Sequence, residues 1–172
     1  MRVYIPECYL DKAIVKRCIA LASVDDIYEI EKAVNFTGSV GKLTESRSTQ
    51  LVAFVDDPKR EYHKRSNDTY KALSLVTDFK FGVCIKQVPE KFACLVELES
   101  TAEEWLRNFF EESLFAKHGI RLDLEALKRS SATHEYASLH NFLDDGLRNT
   151  VGGNYLLNAL IDPKPVLSKK RK

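Results

Sequence analysis

Long apolar runs, glycine, proline and cysteine are all scarce in this 172-residue chain, and each scarcity excludes a class of protein. The longest uninterrupted apolar runs hold about five residues, whereas a membrane-spanning helix needs about 20. The first residues, MRVYIPECYLDK, contain neither a long apolar segment nor a small-residue cleavage site, so they do not resemble a signal peptide. We therefore expect no contact with a membrane.

Glycine and proline number only seven and five, and 44% of the residues are hydrophobic. This composition argues against wholesale disorder and supplies enough apolar side chains for a normal core in one domain. The four cysteines form neither a CxxC pair nor a zinc-finger pattern: Cys8, Cys18, Cys84 and Cys94. We expect free thiols in a cytoplasmic protein rather than a disulfide framework.

Positive charge is unevenly distributed, although the formal net charge is only +1. The last nine residues, KPVLSKKRK, hold five of the 26 basic residues and no acidic one, which leaves 21 bases against 25 acids before them. We expect Lys169, Lys170 and Arg171 in this basic tail to contact the phosphate groups of nucleic acid. The alternative interpretation of residues 163–172 is a disordered end that only improves solubility.

Strand and helix patterns alternate in the first part of the chain. Apolar, β-prone runs predict strands at residues 2–6, 27–34, 51–55 and 79–88, with a fifth at 92–98. Helical spacing predicts a helix at 12–22, a helix or a loop followed by a helix at 60–76, and a loop followed by a short helix within 35–50. Asp11 is the expected N-cap of the first helix, and Gly38 and Gly41 are expected at backbone turns.

Helical patterns dominate the rest of the chain. Ser100 and Glu103 have the spacing of a capping box, and they open a predicted helix that Gly119 ends. Further helices are predicted at 122–129, 133–147 and 154–161. The whole order predicts an α/β fold. We expect a mainly parallel sheet of about four strands flanked by helices over residues 1–99, with a helical extension over 100–162 packed on it.

Acidic residues follow two of the predicted strands at the point where each strand ends. Glu7 follows the first strand, and Asp56 and Asp57 follow the apolar run LVAFV. Because ligands of parallel α/β sheets gather at the carboxyl ends of the strands, these carboxylates are candidates for one cation site. Lys59 and Arg60 come directly afterwards and could bind phosphate. The alternative interpretation is a strand stop followed by a solvated turn.

The segments IPECYLDKAIVKRCI and AFVDDPKR, which contain Glu7 and Asp56, resemble the acidic motifs of the TOPRIM domain. That domain occurs in topoisomerases, primases and overcoming-lysogenization-defect nucleases, with a glutamate after the first strand and a DxD pair after a later apolar strand. The segments VNFTGSVGKL and LESTAEEWL resemble its glycine-containing link and an acidic stretch after its fourth strand. The resemblance covers residues 2 to about 105 and rests on element order and these short motifs.

The resemblance implies a Mg²⁺ or Mn²⁺ ion on Asp56 and Asp57, with Glu7 as a general acid or base or as a ligand of a second metal. It implies cleavage of phosphodiester bonds in DNA or RNA, for which Lys59 or Arg60 would clamp the phosphate. A small nuclease of this kind would suit a phage, a mobile element or a defence system.

The chain departs from the DxD pattern at one position. With Asp56 as the first aspartate, the second would fall at residue 58, which is Pro58. Asp57 takes the middle position, and its side chain points elsewhere in an extended chain unless a turn at Pro58 redirects it. The alternative function is therefore a catalytically degenerate TOPRIM-like module that binds nucleic acid or a protein partner, with residues 100–162 as the interface.

Overall fold

A computed structural model describes residues 1–23, 28–31, 35–45, 50–56, 66–89, 91–121 and 137–163. Six strands form one sheet. They are β1 (Arg2–Pro6), β2 (Tyr28–Ile30), β3 (Gln50–Val55), β4 (Ser74–Lys80), β5 (Val83–Gln87) and β6 (Ala93–Leu98). Their order in the sheet is β2-β1-β3-β6-β5-β4.

Helices flank the sheet and make up most of the described residues after β6. They are α1 (Tyr9–Ala22), α2 (Phe36–Lys42), α3 (Asp68–Lys71), α4 (Ala102–Phe109), α5 (Glu112–His118), α6 (Ala137–Asn149) and α7 (Val151–Ile161). A 3₁₀ turn, Leu43–Glu45, extends α2. Among the residues that the structure describes, no helix is both long and apolar enough to cross a membrane.

The sheet confirms the predicted α/β class but not the predicted number of strands. β2, β1, β3 and β6 pair in parallel, as expected, while β5 and β4 continue the sheet in antiparallel pairing. The sheet is therefore mixed and has six strands rather than about four. The predicted strand at 79–88 contains the end of β4, a turn and the whole of β5. A hairpin therefore replaces this single predicted strand and accounts for one of the extra strands.

The turn between β4 and β5 lacks the usual sequence signal of a tight hairpin. Phe81 and Gly82 link the strands, and both have positive φ values, 50° and 68°. Two-residue hairpin turns of this kind favour Asn-Gly or Asp-Gly, because a bulky residue at positive φ is strained. Here tertiary contacts hold Phe81: its carbonyl accepts a hydrogen bond from Trp105 Nε1 at 2.9 Å, and its ring packs on Tyr155.

The apolar run of β3 is central and covered on both faces, as predicted. Val52 and Phe54 face a core cluster that includes residues of α1 and of the later helices. Leu51, Ala53 and Val55 face a second cluster that includes residues of α2. The alternation of side chains along one strand thus divides the core into two layers, one on each face of the sheet.

Two predictions of helix caps are wrong in detail. Cys8, not Asp11, is the N-cap of α1, and Asp11 is the third helical residue, whose carboxylate completes a capping box. In the same way Thr101 and Glu104, rather than Ser100 and Glu103, form the capping box of α4. Cys8 and Thr101 are the caps because each has a non-helical backbone directly before the first turn.

Other predictions fail because tertiary structure overrides a local pattern. Gly38 and Gly41 lie inside α2 rather than at turns. Of the predicted helix at 60–76, residues 60–65 lie outside the described residues, Ser66 and Asp68–Lys71 are helical, and Ser74–Lys80 is strand β4, paired with β5. The predicted helix that Gly119 ends is broken at Phe110 into α4 and α5, although Gly119 does end α5 with a positive φ of 65°.

Aromatic side chains attach the C-terminal helices to the same core as α1. Phe142 of α6 lies against Phe110 and Phe115, with ring centroids 5.3 and 4.7 Å apart. α6 also bonds to α1 directly, because Arg17 makes a bidentate ion pair of 2.7 Å with Asp144. These contacts hold α6 over the α1 face of the sheet.

Substitutions at Gly146 of α6 and Gly41 of α2 should have opposite effects on stability. A Cβ atom at Gly146 would lie 2.0 Å from the buried Phe110 ring, so Gly146→Ala should lower the free energy of unfolding by about 1–3 kcal/mol. Gly41→Ala is the matched control, because its Cβ meets nothing within 4 Å inside α2 and should stabilise the protein by up to about 1 kcal/mol. Urea unfolding measures both, and equal effects of the two changes would contradict the close packing at Gly146.

A buried acidic cluster at the carboxyl edge of the sheet

The candidate site lies where the strand order reverses. From β1 the chain crosses through α1 to β2 on one side, and from β2 it crosses back through α2 to β3 on the other side of β1. Because α1 and α2 cover opposite faces, a crevice is expected between the carboxyl ends of β1 and β3. Glu7 directly follows β1, and Asp56 directly follows β3.

Backbone hydrogen bonds join these two strand ends. The Glu7 N–H donates to the Phe54 carbonyl at 3.0 Å, which extends the pairing of β1 and β3 by one residue. The Asp56 N–H donates to Glu7 Oε2 at 3.3 Å. Both side chains are buried, with 6% and 8% exposure. The structure therefore brings together two of the residues that the sequence nominated.

The N-terminus of α4 lies against Asp56. The N–H of Ala102, the first residue of α4, donates to Asp56 Oδ2 at 2.8 Å. The first N–H groups of a helix carry partial positive charge, so this end of α4 stabilises a carboxylate at residue 56. Glu103, the next residue of α4, is also buried, at 3% exposure.

The first turn of α1 supplies a further carboxylate. The Cys8 N–H donates to Asp11 Oδ2 at 3.0 Å, and the Asp11 N–H contacts Cys8 Sγ at 3.5 Å. This reciprocal capping box uses one oxygen of Asp11 only. The other oxygen, Oδ1, is buried and finds no hydrogen-bond partner among the residues that the structure describes.

The environment of Asp11 disfavours its negative charge. Complete burial raises the pKa of Asp11 well above its ordinary value of 3.8, and the nearby carboxylates of Asp56 and Glu103 raise it further. Burial likewise raises the pKa of the Cys8 thiol, with a contribution from Asp11. Without a cation, Asp11 and Cys8 therefore both tend to hold their protons.

Three of these side chains could hold a metal ion. The ligand atoms of Cys8, Asp11 and Asp56 all lie within 4.8 Å of one another. These ligands fit a divalent cation, since carboxylate oxygens are ligands of Mg²⁺, Mn²⁺ and Zn²⁺. A cation would also satisfy the buried Asp11 Oδ1, which has no partner in the described part of the chain. Glu7 lies beside this group through its contact with the Asp56 backbone.

The sequence interpretation identified this site incompletely. Asp57, Lys59, Arg60, Lys169, Lys170 and Arg171 lie outside the described residues, so their roles stay predictions. Asp11, Cys8 and Glu103 were missed as members of the cluster, because Asp11 and Glu103 already had capping explanations. One signal was available: a helix that directly follows a strand begins at that strand's carboxyl edge, so polar residues in its first turn belong to the same edge.

A second polar group lies on the opposite face of the sheet. Glu97 of β6 pairs in register with Val55, and its carboxylate accepts hydrogen bonds from Tyr70 Oη at 2.8 Å and Lys86 Nζ at 3.0 Å. Burial raises the pKa of Tyr70 to about 12. Glu97 therefore has both a cation and a hydroxyl as partners, which gives it a structural explanation that Asp11 lacks.

Comparisons with known proteins identify no relative: no protein-family model, no curated protein and no solved structure matches the chain. The fold and the cluster define an α/β protein with an acidic site at the switch point of its sheet. Its function is therefore inferred from the chemistry of that site.

The raised pKa of Asp11 predicts a pH-dependent instability of the metal-free protein. Because the folded state holds this proton more tightly than the unfolded state, Asp11 costs stability progressively as pH rises above about 3.8, the ordinary value. Asp11→Asn keeps a carbonyl for the Cys8 N–H and removes the charge. It should raise the free energy of unfolding at pH 7–8 and weaken its fall between acidic and neutral pH.

Urea unfolding in the presence of a chelator, at several pH values, measures this effect. Asp68→Asn makes the same chemical change at an exposed position, with 97% of the side chain accessible, and should alter stability by less than about 0.5 kcal/mol. A destabilised Asp11→Asn protein whose pH dependence matched the wild type would contradict the assignment.

Proposed function

We propose that the protein is a TOPRIM-like nuclease that hydrolyses phosphodiester bonds in nucleic acid with a divalent cation. One observation carries the proposal: the buried carboxylates that follow β1 and β3 lie with Asp11 of α1 at the switch point of the sheet, and Asp11 Oδ1 has no partner there among the described residues. Mg²⁺ and Mn²⁺ are the cations that the family resemblance implies.

The burial of the cluster favours a cation over a solvated turn. A strand stop would leave its carboxylates in water, whereas Asp11 and Asp56 are buried, with 0% and 8% exposure. Clustered buried carboxylates repel one another, and a structure keeps such an arrangement where it serves a function. A cation between them would neutralise the repulsion and satisfy Asp11 Oδ1.

The chemistry of phosphodiester hydrolysis matches the groups of this site. When bound, the cation neutralises charge on the phosphate and activates the attacking water. Asp11 and Asp56 hold and orient it, and Glu7, beside Asp56, takes up or delivers a proton during hydrolysis. Lys59 and Arg60 follow Asp56 by three and four residues and are proposed to bind the substrate phosphate, with Asp57 as an additional ligand.

The basic tail supports binding of nucleic acid. Lys169, Lys170 and Arg171 are proposed to contact the phosphate backbone, which makes binding weaken as salt rises. Removal of residues 164–172 should therefore weaken binding to DNA or RNA and reduce its salt dependence, while cation binding at the acidic cluster is unchanged.

Calorimetric titration with Mn²⁺ and Mg²⁺ tests the proposal first. The wild type should bind, and Asp56→Asn should bind at least about tenfold more weakly, because it removes a charged ligand but keeps an acceptor for the Ala102 N–H. Asp68→Asn is the exposed control and should bind like the wild type. No heat of binding in the wild type, with or without nucleic acid, would contradict the proposal.

Cleavage assays on single-stranded DNA, duplex DNA and RNA then test the chemistry. Glu7→Gln should lower the cleavage rate by about 10²–10⁴-fold, because a general acid–base group contributes about that much. Its cation affinity should fall far less than that of Asp56→Asn. Absence of metal-dependent cleavage on all three substrates would leave the enzymatic proposal without support.

A second candidate function is a degenerate TOPRIM-like module that binds nucleic acid or a protein without cleaving it. The observation that favours it is Pro58, which stands where the family has its second aspartate. Such a module predicts salt-dependent binding of nucleic acid, or capture of a protein partner by the C-terminal helices, with no cleavage on any substrate. The cleavage assays therefore separate the two candidates.

A further inference from the structure

The helix-capping role of residue 8 does not explain why this residue is a cysteine. N-caps are preferentially Ser, Thr, Asp or Asn, whose oxygen accepts a good hydrogen bond from the first turn. The Cys8 Sγ is a weak acceptor, and it contacts the Asp11 N–H only at 3.5 Å. Serine would cap α1 better, so the thiol needs a reason other than the stability of the helix.

The capping box places a second potential metal ligand, the Asp11 carboxylate, beside this thiol. Asp11 Oδ2 is committed to the Cys8 N–H at 3.0 Å. Asp11 Oδ1 is buried and has no hydrogen-bond partner in the described part of the chain, and the ligand atoms of Cys8, Asp11 and Asp56 lie within 4.8 Å of one another. A thiol and two carboxylates, one of which has an oxygen with no partner among the described residues, thus lie close together.

We propose that Cys8, Asp11 and Asp56 form a three-ligand site for a thiophilic divalent cation of the zinc class, which Cys8 binds as a thiolate. The inference rests on the proposed function, because it assigns the cation of the same site, and it replaces the Mg²⁺ or Mn²⁺ that the family resemblance implies with a zinc-class ion. Three protein ligands with an open fourth position are typical of catalytic zinc, whereas sites made for Mg²⁺ use only oxygen. The thiol proton passes to solvent as the sulfur–metal bond forms.

The thiolate should set the selectivity of the site. Sulfur is a poor ligand for Mg²⁺ and a good one for Zn²⁺ and Co²⁺. The wild type should therefore bind Zn²⁺ and Co²⁺ in strong preference to Mg²⁺. Because most protein sites favour Zn²⁺ over Mg²⁺ to some degree, the diagnostic quantity is the change in this preference when the sulfur is replaced by oxygen.

Titration of the chelator-treated, full-length protein with Co²⁺ tests the inference directly. A Co²⁺–thiolate bond produces a charge-transfer absorption band in the near ultraviolet, which the wild type should show at one equivalent of metal. Cys8→Ser should lose the band and lower Zn²⁺ affinity by at least the roughly 10–100-fold that loss of a supporting partner costs. Its Mg²⁺ affinity should be equal to or higher than that of the wild type.

Cys18→Ala is the matched control. Cys18 is a buried cysteine on the same helix, about 15 Å from Cys8 along its axis, and the variant keeps the other three thiols. It should retain the band. Circular dichroism and thermal unfolding check that both variants fold, and the wild-type band remains a test if either does not.

The outcomes distinguish failure of the inference from failure of the proposed function. Co²⁺ binding without a thiolate band in the wild type, or a band that persists in Cys8→Ser, would overturn the inference and leave a carboxylate cation site intact. A Cys8-dependent band in a protein that cleaves no nucleic acid would support the inference and overturn the nuclease. Absence of any cation binding in the wild type would overturn both.

Discussion

The parallel pairing of β1 with β3 is the constraint on which the candidate site depends. Pro6 lies opposite Phe54 in this register, and the next N–H, that of Glu7, continues the pairing to the Phe54 carbonyl at 3.0 Å. Glu7 and Asp56 therefore leave the sheet side by side. Because α1 starts directly after β1 and α4 bonds to Asp56, the first turns of both helices meet at the same place and bring Asp11 and Glu103 with them.

Burying these carboxylates close together is electrostatically unfavourable, although the rest of the α/β core is ordinary. Repulsion between Asp11 and Asp56 and the burial of Asp11 oppose ionisation, while the N-termini of α1 and α4 offset part of the cost through their N–H groups. The buried Glu97 on the other face, by contrast, has Lys86 and Tyr70 as hydrogen-bond partners. Uncompensated electrostatic repulsion of this kind at a switch point is typical of a site that binds a ligand.

Local sequence patterns correctly predicted the elements whose tertiary contacts favour the same secondary structure. The runs at β1, β3 and β6 are mostly apolar and lie inside the sheet, so their composition identified them. The β4–β5 hairpin was misread, because Phe81 at positive φ is held by Trp105 and Tyr155 rather than by turn chemistry. The spacing of Tyr70, Leu73 and Val76 favoured a helix, but antiparallel pairing with β5 makes residues 74–80 a strand.

The sequence by itself determined the α/β class, the central apolar strand and the presence of acids after β1 and β3, because these depend on residue type and short-range periodicity. Only the tertiary structure decided that the sheet has two antiparallel strands and that Asp11 and Cys8 join Asp56 in one buried group. The physical reason is that a capping residue and a metal ligand share the same local pattern. Which side chains meet depends on contacts between residues that are about 45 positions apart in the chain.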